Sequence, residues 1–283
     1  MKRSSHRLCL WYVAVCTLTL LCALLRTVAL LTAFDVRPGY FRLAPITVLF
    51  YVFMVATLLL CASLPLFIKK DALPATAPAP TLPGLCSAGI CALLFLINFV
   101  EGCLSQATLK LPTGLWFAGL LTLLIAAAYF ALRFLAEKPP LHVTLLCGYG
   151  AILSLALLLC FTYFDQLTPM NAPHKIGLHL ALLSAMVYLL YDLRALAGEA
   201  MPRAAAISSG VAFVFTATIG ISNLIGFLAG VYCSVPYLAQ DLLLIGLAVY
   251  IGTHSAATAR RDAQALVEIE KEHAAEVSHD ECQ

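Results

Sequence analysis

Long apolar runs decide what this chain can fold into. Eight of them follow one another, over 8–34, 45–68, 85–109, 115–136, 141–164, 176–197, 205–230 and 238–258. A helix rises ~1.5 Å per residue, so about 20 apolar residues cross a hydrocarbon layer ~30 Å thick. Each run must be helical, because lipid offers unpaired backbone groups no partner. A barrel would show short alternating segments instead. The sequence therefore predicts an all-α polytopic helix bundle with about eight transmembrane helices. Composition agrees, with 62% hydrophobic and 11% charged residues. A soluble chain carries about a quarter charged residues.

The breaks between runs are short, so residues 1–259 read as one transmembrane domain and 260–283 as a charged tail on the cytoplasmic side. The longest break, 69–84, is a Pro/Ala-rich linker that favours extended backbone. The first run follows Lys2, Arg3 and Arg7 as a signal peptide would, but it is too long and lacks a cleavage site, so it reads as a retained anchor.

Placement of Lys and Arg orients the chain. With the N-terminus inside, twelve of them fall on the inner side and four, Arg37, Arg42, Lys110 and Lys175, on the outer. Both termini are expected in the cytoplasm, with the chain integral to the cell membrane. The net charge of +2 carries no nucleic-acid signature, so the expected partners are the lipid bilayer and a small-molecule or ion ligand. Most of the eleven cysteines lie inside apolar runs, where a thiol behaves as a small hydrophobe, and Cys233 is the exception on the outer side.

Two segments raise an internal 4+4 parallel duplication. AFDVRPGYFRLAPI after the first run and YFDQLTPMNAPHKI after the fifth share Phe-Asp and a proline-bearing loop of equal length. Ser87-Ala88-Gly89 then matches Ser208-Ser209-Gly210, and Tyr129 matches Tyr250. Some transporters are built from such halves, though low-complexity apolar sequence also produces chance matches.

Ionisable groups at membrane depth are costly and so are candidates for function. Arg26 and Glu101 fall at similar heights in the outer part of the first and third runs, where they could form a structural ion pair or leave Glu101 to a ligand. Asn98, Glu101 and Ser105 share one helix face. The segment from Phe164 to Lys175 brings Asp165, Asn171, His174 and Lys175 to the opening of the sixth helix, with His179 one turn on. Asn171 can cap that helix, and Pro173 suits its first position. Cations there oppose the helix dipole and ask for an anionic partner. The seventh run adds Ser222 and Asn223, with Gly226 and Gly230 as a small-xxx-small packing pair. All these polar groups lie toward the outer rim, which suits either a cavity open to the outside or a polar cap seating the helix ends. On the inner side, Tyr188 and Asp192 are one turn apart, and His142 and His254 read as single interfacial histidines.

The chain has no phosphate-binding loop, HExxH, GxSxG or haem-attachment motif, so no enzyme activity, cofactor or metal is expected. Two functional readings remain. One is a permease-like or transport-associated protein with an outward-facing polar site. The other is a non-transporting sensory or assembly protein whose outer loop 165–175 binds a ligand or partner.

Overall fold

The computed structural model describes residues 2–35, 40–63, 81–104, 112–135, 140–164, 172–199, 201–231 and 238–257. Most of the Pro/Ala linker, Asp165, Asn171, Cys233 and the charged tail lie outside the described residues. Within the described residues there are eight membrane-length apolar helices. They are α1 (Lys2–Ala33), α2 (Pro45–Ala62), α3 (Leu82–Leu104), α4 (Thr113–Phe134), α5 (Leu141–Phe164), α6 (Pro173–Leu196), α7 (Pro202–Leu228) and α8 (Leu238–Ala257). A short antiparallel hairpin, β1 (Phe34–Asp35) with β2 (Tyr40–Phe41), joins α1 to α2. The chain is a multi-pass membrane protein.

Helix starts follow proline chemistry. Pro45, Pro173 and Pro202 each open a helix, where the missing N–H costs nothing. Ala172 is the N-cap of α6 and makes no side-chain capping bond; the cap expected from Asn171 falls outside the described residues. Starting at Pro173, three residues before the predicted boundary, places His174 and Lys175 inside α6.

Helix ends follow glycine chemistry. Gly198 and Gly230 have φ of 87° and 74°, a left-handed conformation cheap only for glycine. After α7, the Gly230 N–H reaches Phe227 O at 3.0 Å and the Val231 N–H reaches Gly226 O at 2.9 Å. This reciprocal closure satisfies carbonyls that would otherwise face no donor. Gly230 is therefore the stop of α7. It lies past the last helical residue of α7, Leu228, whereas Gly226 lies within the helix.

Two apolar clusters share the bundle. The larger draws on α3 to α8 and centres on Phe95, Phe130, Leu155, Leu182, Leu244 and Tyr250. The smaller joins Trp11, Phe50, Met54 and Cys61 of α1 and α2 to Ala206 and Val214 of α7. Helix α7 connects them, packing against α1, α2 and α6. The Trp11 indole ties α1 to α2 through Leu60 O at 3.0 Å, and Trp116 ties α4 to α3 through Gly102 O at 3.0 Å. Elsewhere α4 packs on α5 and α5 on α6.

Two helix pairs repeat with the proposed halves, α1 on α2 as α5 on α6 and α3 on α4 as α7 on α8, and a third does not. Under a 4+4 scheme, α2 and α3 should meet as α6 and α7 do, yet α2 packs against α1 and α7 while α3 packs against α4. Alternating helix directions put the start of α1 and the finish of α8 at one end, here the terminus end. The β-hairpin marks the opposite, hairpin end.

Candidate functional site

A close backbone approach builds the hairpin-end site. A Cβ added to Gly220 of α7 would lie 3.1 Å from both Asp241 O and Ile245 N, so α8 runs directly against α7 there. One turn later, Asn223 projects toward Asp241 and donates from Nδ2 to Asp241 Oδ1 at 2.8 Å. From the other side, Arg26 Nη1 donates to Asn223 Oδ1 at 2.6 Å and to the Ser222 hydroxyl. The amide orientation is forced, because guanidinium only donates and carboxylate only accepts. Asn223 thus stands between the Arg26 guanidinium and the Asp241 carboxyl group and bonds to both. Asp241 remains within Coulombic reach of Arg26.

Helix α6 completes the cluster. His174 lies beside Asn223 and within reach of the Arg26 charge. Gly177, one turn below His174 on α6, brings the α6 backbone close to Arg26; a Cβ there would sit 3.6 Å from Nη2. Burial is nearly complete, with Arg26 and Asp241 each 2% exposed and Lys175 0%. Four helices, α1, α6, α7 and α8, therefore place charged or amide groups in one desolvated volume. Such a volume is expensive unless its members satisfy one another.

The structure gathers some of the predicted residues here and separates others. Arg26, His174 and Asn223 meet, and Lys175 is buried beside His174 in the first turn of α6. Arg26 bonds to α7, not in the expected pairing with Glu101. Neighbouring helices explain it, since α1 packs on α2 and α7, whereas α3 packs on α4 and α8. Glu101 is half-buried on α3. Asn98 acts as a clamp, its Nδ2 donating to Leu94 O and across to Ala239 O of α8, both at 2.9 Å. His179 faces the Tyr163 ring of α5, with centroids 6.1 Å apart. Lys175, counted above as an outer-loop cation, is inside the bundle, as is Arg133 near the end of α4.

Asp241 was missed. Its signal in the sequence is an acid four residues into an apolar run, which a topology count of Lys and Arg alone passes over.

A second network, also missed, lies at the terminus end. Asp192 of α6 accepts from Tyr129 Oη at 3.0 Å and pairs with Arg133 at 3.6 Å, both on α4. His254 of α8 approaches the other carboxylate oxygen at 3.6 Å and Tyr188 Oη at 2.8 Å. Arg133 Nε donates to the Tyr250 hydroxyl at 3.3 Å, and the Tyr250 ring stacks on His254 at 5.7 Å. Tyr188 and Asp192, one turn apart on α6, take these partners from other helices. His254 is likewise a member of a network, which corrects its reading as a single interfacial histidine.

No family model matches the sequence, and neither a curated protein nor a solved structure matches it. Among the described residues, no group of three or more His, Cys, Asp or Glu side chains is placed to hold a metal ion.

Proposed function

We propose that this chain is a permease-like membrane protein, without enzymatic activity, whose hairpin-end cluster is part of a polar site for a small solute or ion. One observation carries the reading: Arg26, His174 and Asp241 are desolvated together, with Asn223 interposed between Arg26 and Asp241, so that four helices meet in one polar cluster. Apolar packing alone would hold four helices together more cheaply, because buried charges cost more than small apolar residues do. An amide flanked by opposite charges offers both a donor and an acceptor to an incoming polar group. The Lys and Arg bias along the sequence supports a cell-membrane protein with both termini in the cytoplasm. That bias keeps its direction after Arg133 and Lys175 are removed from the loop count.

The test is a thermal-stability screen of the detergent-purified chain against amino acids, organic anions, sugars and monovalent ions. Asp241→Asn and Asn223→Ala variants run in parallel. A solute that raises the melting temperature of the wild type and of neither variant supports the site, and its uptake into proteoliposomes then separates a permease from a sensor. A solute that stabilises all three proteins equally places binding elsewhere and overturns the reading.

A further inference from the structure

Two contacts at the terminus end point to one protonation state for His254. Arg133 Nη2 lies 3.4 Å from His254 Nε2. Guanidinium nitrogens donate and never accept, so Nε2 must present its lone pair. The ring is then neutral with its proton on Nδ1, the atom that faces Tyr188 Oη at 2.8 Å and Asp192 Oδ1 at 3.6 Å. Asp192 therefore draws its counter-charge from α4 through Arg133, while α8 offers it only a neutral N–H.

We propose that His254 Nε2 is a proton-binding site at which proton uptake exchanges the counter-ion of Asp192, from Arg133 on α4 to His254 on α8. A proton arriving from water forms a new N–H bond with the Nε2 lone pair. No other bond breaks and no electrons change hands. That N–H then faces Arg133 donor to donor and cation to cation, so the arginine withdraws. Meanwhile the imidazolium Nδ1–H and the Asp192 carboxylate become an ion pair. The proton reaches the pair through His254 and Arg133, whose side chains retain 16% and 19% exposure while Asp192 retains 2%.

The surrounding groups bear on the exchange from every side. Helix α4 contributes Tyr129 and Arg133, α6 contributes Tyr188 and Asp192, and α8 itself contributes Tyr250. Beyond Tyr250 stands Cys91 of α3, and α7 presents the apolar Phe213 ring against Gly252. Among the described residues, Asp192 and Arg133 bring formal charges to bear on His254. The consequence is directional. Acidification loosens the end of α4 from α6 and tightens α6 onto α8, whether or not a solute binds at the hairpin end.

Two measurements on the full chain in detergent test this without any ligand. The first is long-range proton–nitrogen NMR of histidine-labelled protein at neutral pH, with the signal of His254 assigned by its loss in His254→Gln. A neutral ring protonated at Nδ1 is expected, and a ring protonated at Nε2 overturns the proposal. The second is hydrogen–deuterium exchange of residues 131–135 at neutral and acid pH, corrected for chemical exchange rates. Several-fold faster exchange in acid is expected for the wild type and none for His254→Gln. Arg133→Gln, which has no counter-ion to exchange, should exchange fast at both pH values. Equal acid sensitivity in wild type and His254→Gln, or none in either, overturns the proposal.

Discussion

The two buried polar networks solve the same problem differently. At the hairpin end, Arg26 and Asp241 are kept apart by Asn223, whose amide binds each in turn. At the terminus end, Arg133 and Asp192 meet directly, and tyrosines from α4, α6 and α8 surround the pair. A direct pair wrapped in hydroxyls leaves each charge dependent on the other. A pair joined through a neutral amide can lose one member and still find hydrogen bonds for the survivor. The first arrangement suits a permanent joint or a switch thrown by a single proton. The amide-bridged arrangement suits a place that admits a polar group from outside.

The largest effect expected from this contrast is at Asp192. Replacing it with Asn leaves Arg133 buried without its anion and should cost about 3–5 kcal/mol in equilibrium unfolding of the detergent-solubilised protein. Adding Arg133→Gln should return part of that loss. A double mutant no better than the single would mean the two charges are not coupled. Next comes Gly220→Val, which drives a side chain into the backbone of α8 and should cost about 3 kcal/mol. It should also separate Asn223 from Asp241. If the hairpin-end network survives that change, the close approach does not position it. Asp241→Asn should cost less, about 2 kcal/mol, since Asn can still accept from Asn223. A loss as large as that at Asp192 would erase the distinction between the two networks.

Asn98→Leu removes one inter-helix bond to a backbone carbonyl, and about 1 kcal/mol is the expected cost by thermal melting. The smallest effect belongs to Arg42→Ala. Its pair with Asp35 beside the β-hairpin is 73% exposed on the arginine side, and the change should fall within about 0.5 kcal/mol.

The sequence disclosed the spans because bilayer thickness imposes one length scale on every helix, and predicted and observed boundaries mostly agree within a few residues. It disclosed which residues are costly at membrane depth, and Arg26, His174 and Asn223 do come together. Partners were harder to read. Nothing local in α1 states that it packs against α7, six helices later, so Glu101 at matching depth looked as good a partner for Arg26 as Ser222 or Asn223. Arg133 was hidden for a different reason. A cation in the last turn of a helix normally reaches water, and only the tertiary arrangement of α4, α6 and α8 turns it inward.

Helices α6 and α8 each contribute to both networks, α6 through His174 and Asp192, α8 through Asp241 and His254. A rod pinned at two points cannot slide. Slipping α6 past α8 by one turn, ~5.4 Å, would unseat both joints at once. A thicker or thinner bilayer must then be met by tilting the pair together, because the register between them is locked.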